Sequence, residues 1–112
     1  MIVNEQHIIT SWNGQIPFYY KGDIQHGTVI IIPGIDIDYH ITTEMYESMA
    51  QKFSGRTVKI GDFSEDPGKG SVEHWFQEKY GGLGLMNFIG AILIEQGGAT
   101  RKKNSLVFPD IH

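Results

Sequence analysis

The spacing of apolar residues changes along this chain near residue 41. Before that point, short apolar and β-branched runs are cut by turn signals, the mark of strands. His7 to Trp12 and Gln15 to Tyr20 flank Asn13-Gly14, a pair that supplies the two positive-φ positions of a type I′ hairpin turn. Pro17 cannot donate to a ladder, which predicts an edge strand or a bulge there. After a turn at Lys21-Gly22-Asp23, Thr28 to Ile32 is a continuous apolar run suited to a central strand buried on both faces. Pro33-Gly34 stands in the order of a type II turn. In the IDIDYH that follows, Ile35, Ile37 and Tyr39 fall on one face and Asp36, Asp38 and His40 on the other. Residues 6–40 are expected to form an antiparallel β-meander of three or four strands.

From Ile41 the period lengthens. Ile41, Met45 and Met49 recur at four-residue steps beside Tyr46, Ala50 and Phe53, which predicts an amphipathic helix over residues 41–54. Thr42 or Thr43 can cap its start, and Gly55 can stop it. Arg56 to Ile60 reads as a short strand, and GDFSEDPGKG as a loop. Ser71 caps a helix with Val72, Trp75, Phe76 and Tyr80 on one side, ended by Gly81-Gly82. A further helix is predicted from about Leu83 to Gln96, before Gly97-Gly98. Ala99 to Lys102 and Ser105 to Phe108 can pair as a hairpin. The expected fold is α+β, one domain over residues 1–112. Its meander (6–40) packs on a helical half (41–108).

From residue 42 the order helix, strand, helix, helix, hairpin resembles the winged helix-turn-helix arrangement. That resemblance implies a DNA-binding regulator whose basic wing is Arg101, Lys102 and Lys103 and whose recognition helix is residues 83–96. At about 100° per residue, Leu85, Met86, Phe88, Ile89, Ile92 and Leu93 cover the core side of that helix. The opposite arc holds Gly84, Asn87, Gly90, Ala91, Ile94 and Glu95. It carries no Lys or Arg, and Asn87 alone offers a bidentate contact to a base. Such a smooth, nearly uncharged face suits protein better than phosphate. It is covered either by the chain's own N-terminal sheet or by a second subunit.

Charge points the same way. The net charge is −4 over 112 residues. Residues 1–50 hold one Lys against six Asp and Glu, a net of −5, and residues 51–112 hold eight Lys and Arg against seven, a net of +1. Phosphate affinity comes from clustered cations, which an acidic chain lacks as a whole. The absence of cysteine removes disulfides, thiolate metal sites and cysteine nucleophiles. The opening MIVNEQHIIT does not resemble a secretory leader. The longest nearly apolar stretch, Leu83 to Ile94, falls short of the ~20 residues that span a bilayer, so the expected location is cytoplasmic.

Little chemistry is legible. Asp36, Asp38 and His40 are potential metal ligands, but alternate strand positions lie nearly 7 Å apart, too far to share one ion without a bend. Gly68 to Ser71 (GKGS) opens a helix and can receive an anion on its amides and Lys69. A Walker A loop would need Ser or Thr directly after Gly-Lys. No nucleophile with its base, no paired carboxylates and no cofactor motif stand out. The expected function is therefore non-catalytic binding to protein, of the inhibitor, immunity or accessory kind, with self-association as a homodimer. Asn87, Ala91, Ile94, Trp12 and Tyr19 are the expected contacts. The alternative is DNA binding through Asn87 and Arg101 to Lys103.

Overall fold

A computed structural model describes residues 6–111. It is a mixed α+β fold: four antiparallel strands, then three helices interleaved with a small second sheet. Strands β1 (Gln6–Thr10), β2 (Pro17–Asp23), β3 (Gly27–Ile31) and β4 (Asp38–Ile41) lie side by side in chain order. The β-meander expected from the two-residue period is present.

Three local expectations give way, each for a physical reason. Thr10 pairs with Pro17, so the first hairpin closes through six residues and not through a two-residue type I′ turn. Gly14 has positive φ and Asn13 does not. The loop is fixed by the Ser11 hydroxyl, which accepts from the Ile16 N–H, and by bonds from its tip to a distant helix. Pro17 lies in a central strand, between β1 and β3. It occupies the first position of β2, beyond the last pair with β3 (Tyr19 with Ile31), so its missing N–H costs the ladder nothing. Pairing of β3 with β4 begins only at Ile31 and Asp38, which leaves Ile35 and Ile37 exposed in a loop. The Pro33-Gly34 turn forms as expected, with Ile35 N–H bonded to Ile32 carbonyl and Gly34 at φ 86°. Strand β3 is central, but only Thr28 and Ile30 are buried, and the face carrying Val29 and Ile31 is half-open.

In the second half, α1 (Thr43–Lys52) is capped by the Thr42 hydroxyl, which accepts from Met45 N–H. Strand β5 (Thr57–Lys59) follows, then α2 (Val72–Tyr80), capped by Ser71, and α3 (Met86–Gln96). Strands β6 (Thr100–Lys102) and β7 (Ser105–Val107) form the expected hairpin, turning at Lys103, whose φ is 54°. Strand β5 pairs with β7 to complete a sheet of order β5-β7-β6, so the helix, strand, helix, helix, hairpin order is realised. One hydrophobic cluster joins both halves, from Phe18 and Ile30 through Met49 and Ile92 to Leu106 and Phe108. Across it, Phe18 meets Phe88 edge-on at 5.0 Å.

Helix α3 starts three residues later than its apolar pattern predicts, because Gly82 and Gly84 have positive φ and leave Leu83 exposed. No side chain of its own caps it. The carboxylate of Glu73, 1% exposed on α2, accepts from Gly84 N–H at 2.9 Å and Met86 N–H at 3.0 Å. Gln77 steadies the same carboxylate through its side-chain amide at 2.6 Å. A negative group at the positive end of α3 thus satisfies amides that would otherwise be buried without acceptors.

At the other end of α3, the Tyr20 hydroxyl donates to the Glu95 carboxylate and accepts from the Gln96 side chain at 2.9 Å. Burial raises the Tyr20 phenol well above its ordinary value of 10.0, and the bond to Glu95 adds to the shift. Burial raises Tyr46 in the same sense, against a lowering by its bond to Thr28.

Two outcomes follow. Removing the bridge in Glu73→Ala strands two buried amides and lowers the free energy of unfolding by about 3 kcal/mol, while Glu73→Gln costs less; urea denaturation measures both. Tyr20 and Tyr46 stay neutral in the fold when their unfolded counterparts ionise. Their contribution is complete below pH about 10 and is lost as pH rises above it. The urea midpoint therefore falls on the alkaline side, with a shallower slope in Tyr46→Phe.

Candidate functional site

The α3 face opposite the core was the surface in question, and the chain covers it with its own N-terminal hairpin. Trp12 N–H donates to Asn87 carbonyl at 2.7 Å, and Asn13 N–H donates to Asn87 Oδ1 at 3.0 Å. Gly90 lets this happen. A Cβ added there would stand 2.7 Å from Ile60 Cδ1 and 3.1 Å from Trp12 Cε3. The small residues on this arc serve close approach of the chain to itself.

The expected contact residues therefore separate. Asn87 and Trp12 are both 5% exposed and committed to the contact between hairpin and helix, so neither is on an accessible face. The reason is that Asn87 is used twice by the hairpin, its amide oxygen accepting from Asn13 N–H and its backbone carbonyl from Trp12 N–H. Ala91 and Ile94 are half-buried against the core. Tyr19 is half-buried in the middle of the four-stranded sheet.

The residues expected for DNA separate as well. Arg101 lies with its guanidinium 3.9 Å from the Trp12 ring centroid and donates to the carbonyls of Trp12 and Lys103 at 2.9 and 2.8 Å. Lys102 and Lys103 are exposed at the hairpin. With Asn87 buried and the hairpin laid over α3, that helix has no free face to enter a groove. Asp36 sits in the loop before β4, while Asp38 and His40 lie on the strand. Among the described residues no group of three His, Asp or Glu side chains is placed to hold a metal ion.

Two surfaces stand out instead. On the outer face of the four-stranded sheet, Ile8, Tyr19 and Ile31 are directly opposed on β1, β2 and β3, and Asp38 continues the row on β4. Ile8 is 68% exposed. The neighbouring row is Gln6, Lys21, Val29 and His40. Of this row only Tyr19 was expected as a contact, because which residues oppose it depends on strand register, and no local pattern carries that.

The second surface is a cleft of about 950 Å³ between the tip of the first hairpin, β5, the loop before α2 and the β6–β7 turn. Arg56, Lys59, Lys69 and Arg101 line it, with Asp62. Lys69 belongs to the GKGS loop, which the sequence offers to an anion, whereas the surroundings of Arg56 and Lys59 depend on the pairing of β5 with β7, which no local pattern carries. Helix α2 itself offers little to an anion. Glu73 N–H is bonded to Ile60 carbonyl and His74 N–H to the Ser71 hydroxyl.

No family model matches the chain, and comparison with curated proteins and with solved structures finds no match either. No helix among the described residues is long and apolar enough to cross a membrane.

The covered face of α3 is tested at Gly90. Gly90→Val puts two methyl groups against the indole of Trp12 and destabilises the fold by about 1–3 kcal/mol, despite removing a helical glycine; thermal or urea unfolding reads the difference.

Proposed function

We propose that this chain is a non-catalytic protein-binding domain that self-associates through the outer face of its four-stranded sheet. The observation that carries this reading is the opposed row Ile8, Tyr19 and Ile31, with Val29 beside it, on a sheet face where Ile8 is exposed and the other three are half-buried. Solvated sheet faces usually alternate to polar residues, and here the central positions are apolar or aromatic.

The choice of a second copy as partner rests on charge and geometry. The charged residues around the row are Lys21 and Asp38, one of each sign, so the patch is close to neutral. In a two-fold contact the same surface is used twice, and a patch of one sign would repel itself. The rest of the first half is strongly acidic, so this is the region of the meander best able to meet its own copy. The DNA-binding reading loses support with α3 covered and Asn87 buried.

Light scattering across a concentration series tests the proposal. A dimer is expected, and Ile8→Glu together with Tyr19→Glu shifts it to monomer while the unfolding midpoint of the monomeric species stays near that of the parent chain. A parent chain that stays monomeric at the highest attainable concentration overturns self-association through this face.

A further inference from the structure

The cleft beside the first hairpin carries an inference independent of the sheet. It is walled by four cations in a chain whose net charge is −4. Among the described residues the ion pairs are His26 with Asp23 and His74 with Glu78, so none of the four has a carboxylate partner within bonding distance. Four cations line this concavity against the single carboxylate of Asp62, an excess of positive charge that an anion relieves.

Two of the cations are held in place without being neutralised. Arg101 is clamped by two backbone carbonyls and lies on Trp12, and Arg56 stands 5.7 Å over the Phe53 ring. Aromatic faces and carbonyls orient a guanidinium while leaving its positive charge and remaining N–H groups to a ligand. Trp12, which lines the cleft, also carries a buried indole N–H that has no acceptor among the described residues. Lys69 projects from between Gly68 and Gly70, where an added Cβ would meet nothing within 4 Å, so the backbone there is open to close approach.

We infer that this cleft binds a small molecule through a diphosphate group. The tetrahedral oxygens of a diphosphate match the forked donors of two arginines and the point charges of two lysines, and a single carboxylate would leave most of them unmet. A volume of about 950 Å³ holds such a group with an organic substituent. A nucleic-acid strand fits less well. Trp12 is 5% exposed beneath Arg101 and offers no stacking surface, and Glu65 and Asp66 are exposed on the same loop as Lys69, in the way of a longer polyanion.

Isothermal titration calorimetry of the full chain at low ionic strength, with inorganic pyrophosphate as probe, tests this. One site is expected, and the exposed-residue changes Lys59→Gln and Lys69→Gln each weaken binding about three- to tenfold. Lys52→Gln, at the end of α1 and outside the cleft, leaves it unchanged. Absence of heat with pyrophosphate overturns the inference, as does an affinity indifferent to Lys59 and Lys69. A short oligothymidylate that binds more tightly than pyrophosphate with the same lysine dependence replaces the small-molecule ligand with a nucleic acid.

Discussion

Helix α3 begins without a cap of its own, and the rest of the architecture depends on how that is resolved. The five residues before Met86 are Gly81, Gly82, Leu83, Gly84 and Leu85, none of which has a side-chain oxygen to accept the first helical amides. Glu73 reaches across from α2 and takes two of those amides on its two carboxylate oxygens. A buried carboxylate is costly when unpaired, yet here it faces N–H donors at the positive end of a helix, the environment that best repays its lost hydration. The bridge also sets the angle of the α2–α3 turn, since the same side chain belongs to one helix and terminates the other. Three glycines with positive φ, at 81, 82 and 84, give the connection the freedom to reach that geometry.

Once α3 is placed, the N-terminal sheet has one way to close over it. Asn87, the second residue of the helix, presents both its carbonyl and its amide oxygen to the tip of the first hairpin. Gly90, three residues on, admits the Trp12 ring, and Glu95 and Gln96 meet Tyr20 on β2. These contacts are spread along the length of α3, from its first turn to its last. The β-meander is thereby fixed to the helix at both ends of the strand pair β1–β2. Packing between Phe18 and Phe88 fills the space between.

The period of the apolar pattern was enough to read the meander, all three helices, the final hairpin and the order of elements, because those depend on local repetition. The small-residue arc of α3 also announced a close approach, and the chain's own hairpin is what approaches. What the pattern hid depends on long-range partners. Asn13-Gly14 has the composition of a two-residue turn, but bonds to Asn87, 74 positions away, hold the tip in a wider loop. Ile35 and Ile37 alternate like strand residues, but β3 ends at Ile31 and offers them no ladder. Glu73 looks like any acidic residue in a first helical turn. Its burial follows from the missing cap twelve residues later, a signal that becomes visible only when the two helices are considered together. The site residues were harder still. Asn87 and Trp12 have the composition of contact residues, and the contact they make is internal.

The first hairpin links the two surfaces that remain open. Its strands give Ile8 and Tyr19 to the outer face of the sheet, while its tip turns inward, sets Trp12 on α3 and forms a wall of the basic cleft. Arg101 is oriented by that tip, through both the ring and the carbonyl of Trp12. The position of a cation from the C-terminal hairpin is thus determined by a residue of the N-terminal one. The uneven charge of the chain has a structural counterpart here. The acidic first half contributes to the cleft an aromatic ring and a carbonyl, groups that orient a cation without neutralising it. The cations come from the second half, whose net charge near zero conceals four of them gathered on one side. A charge count taken over the whole chain averages this away, because it records how many charges there are and not which of them have partners.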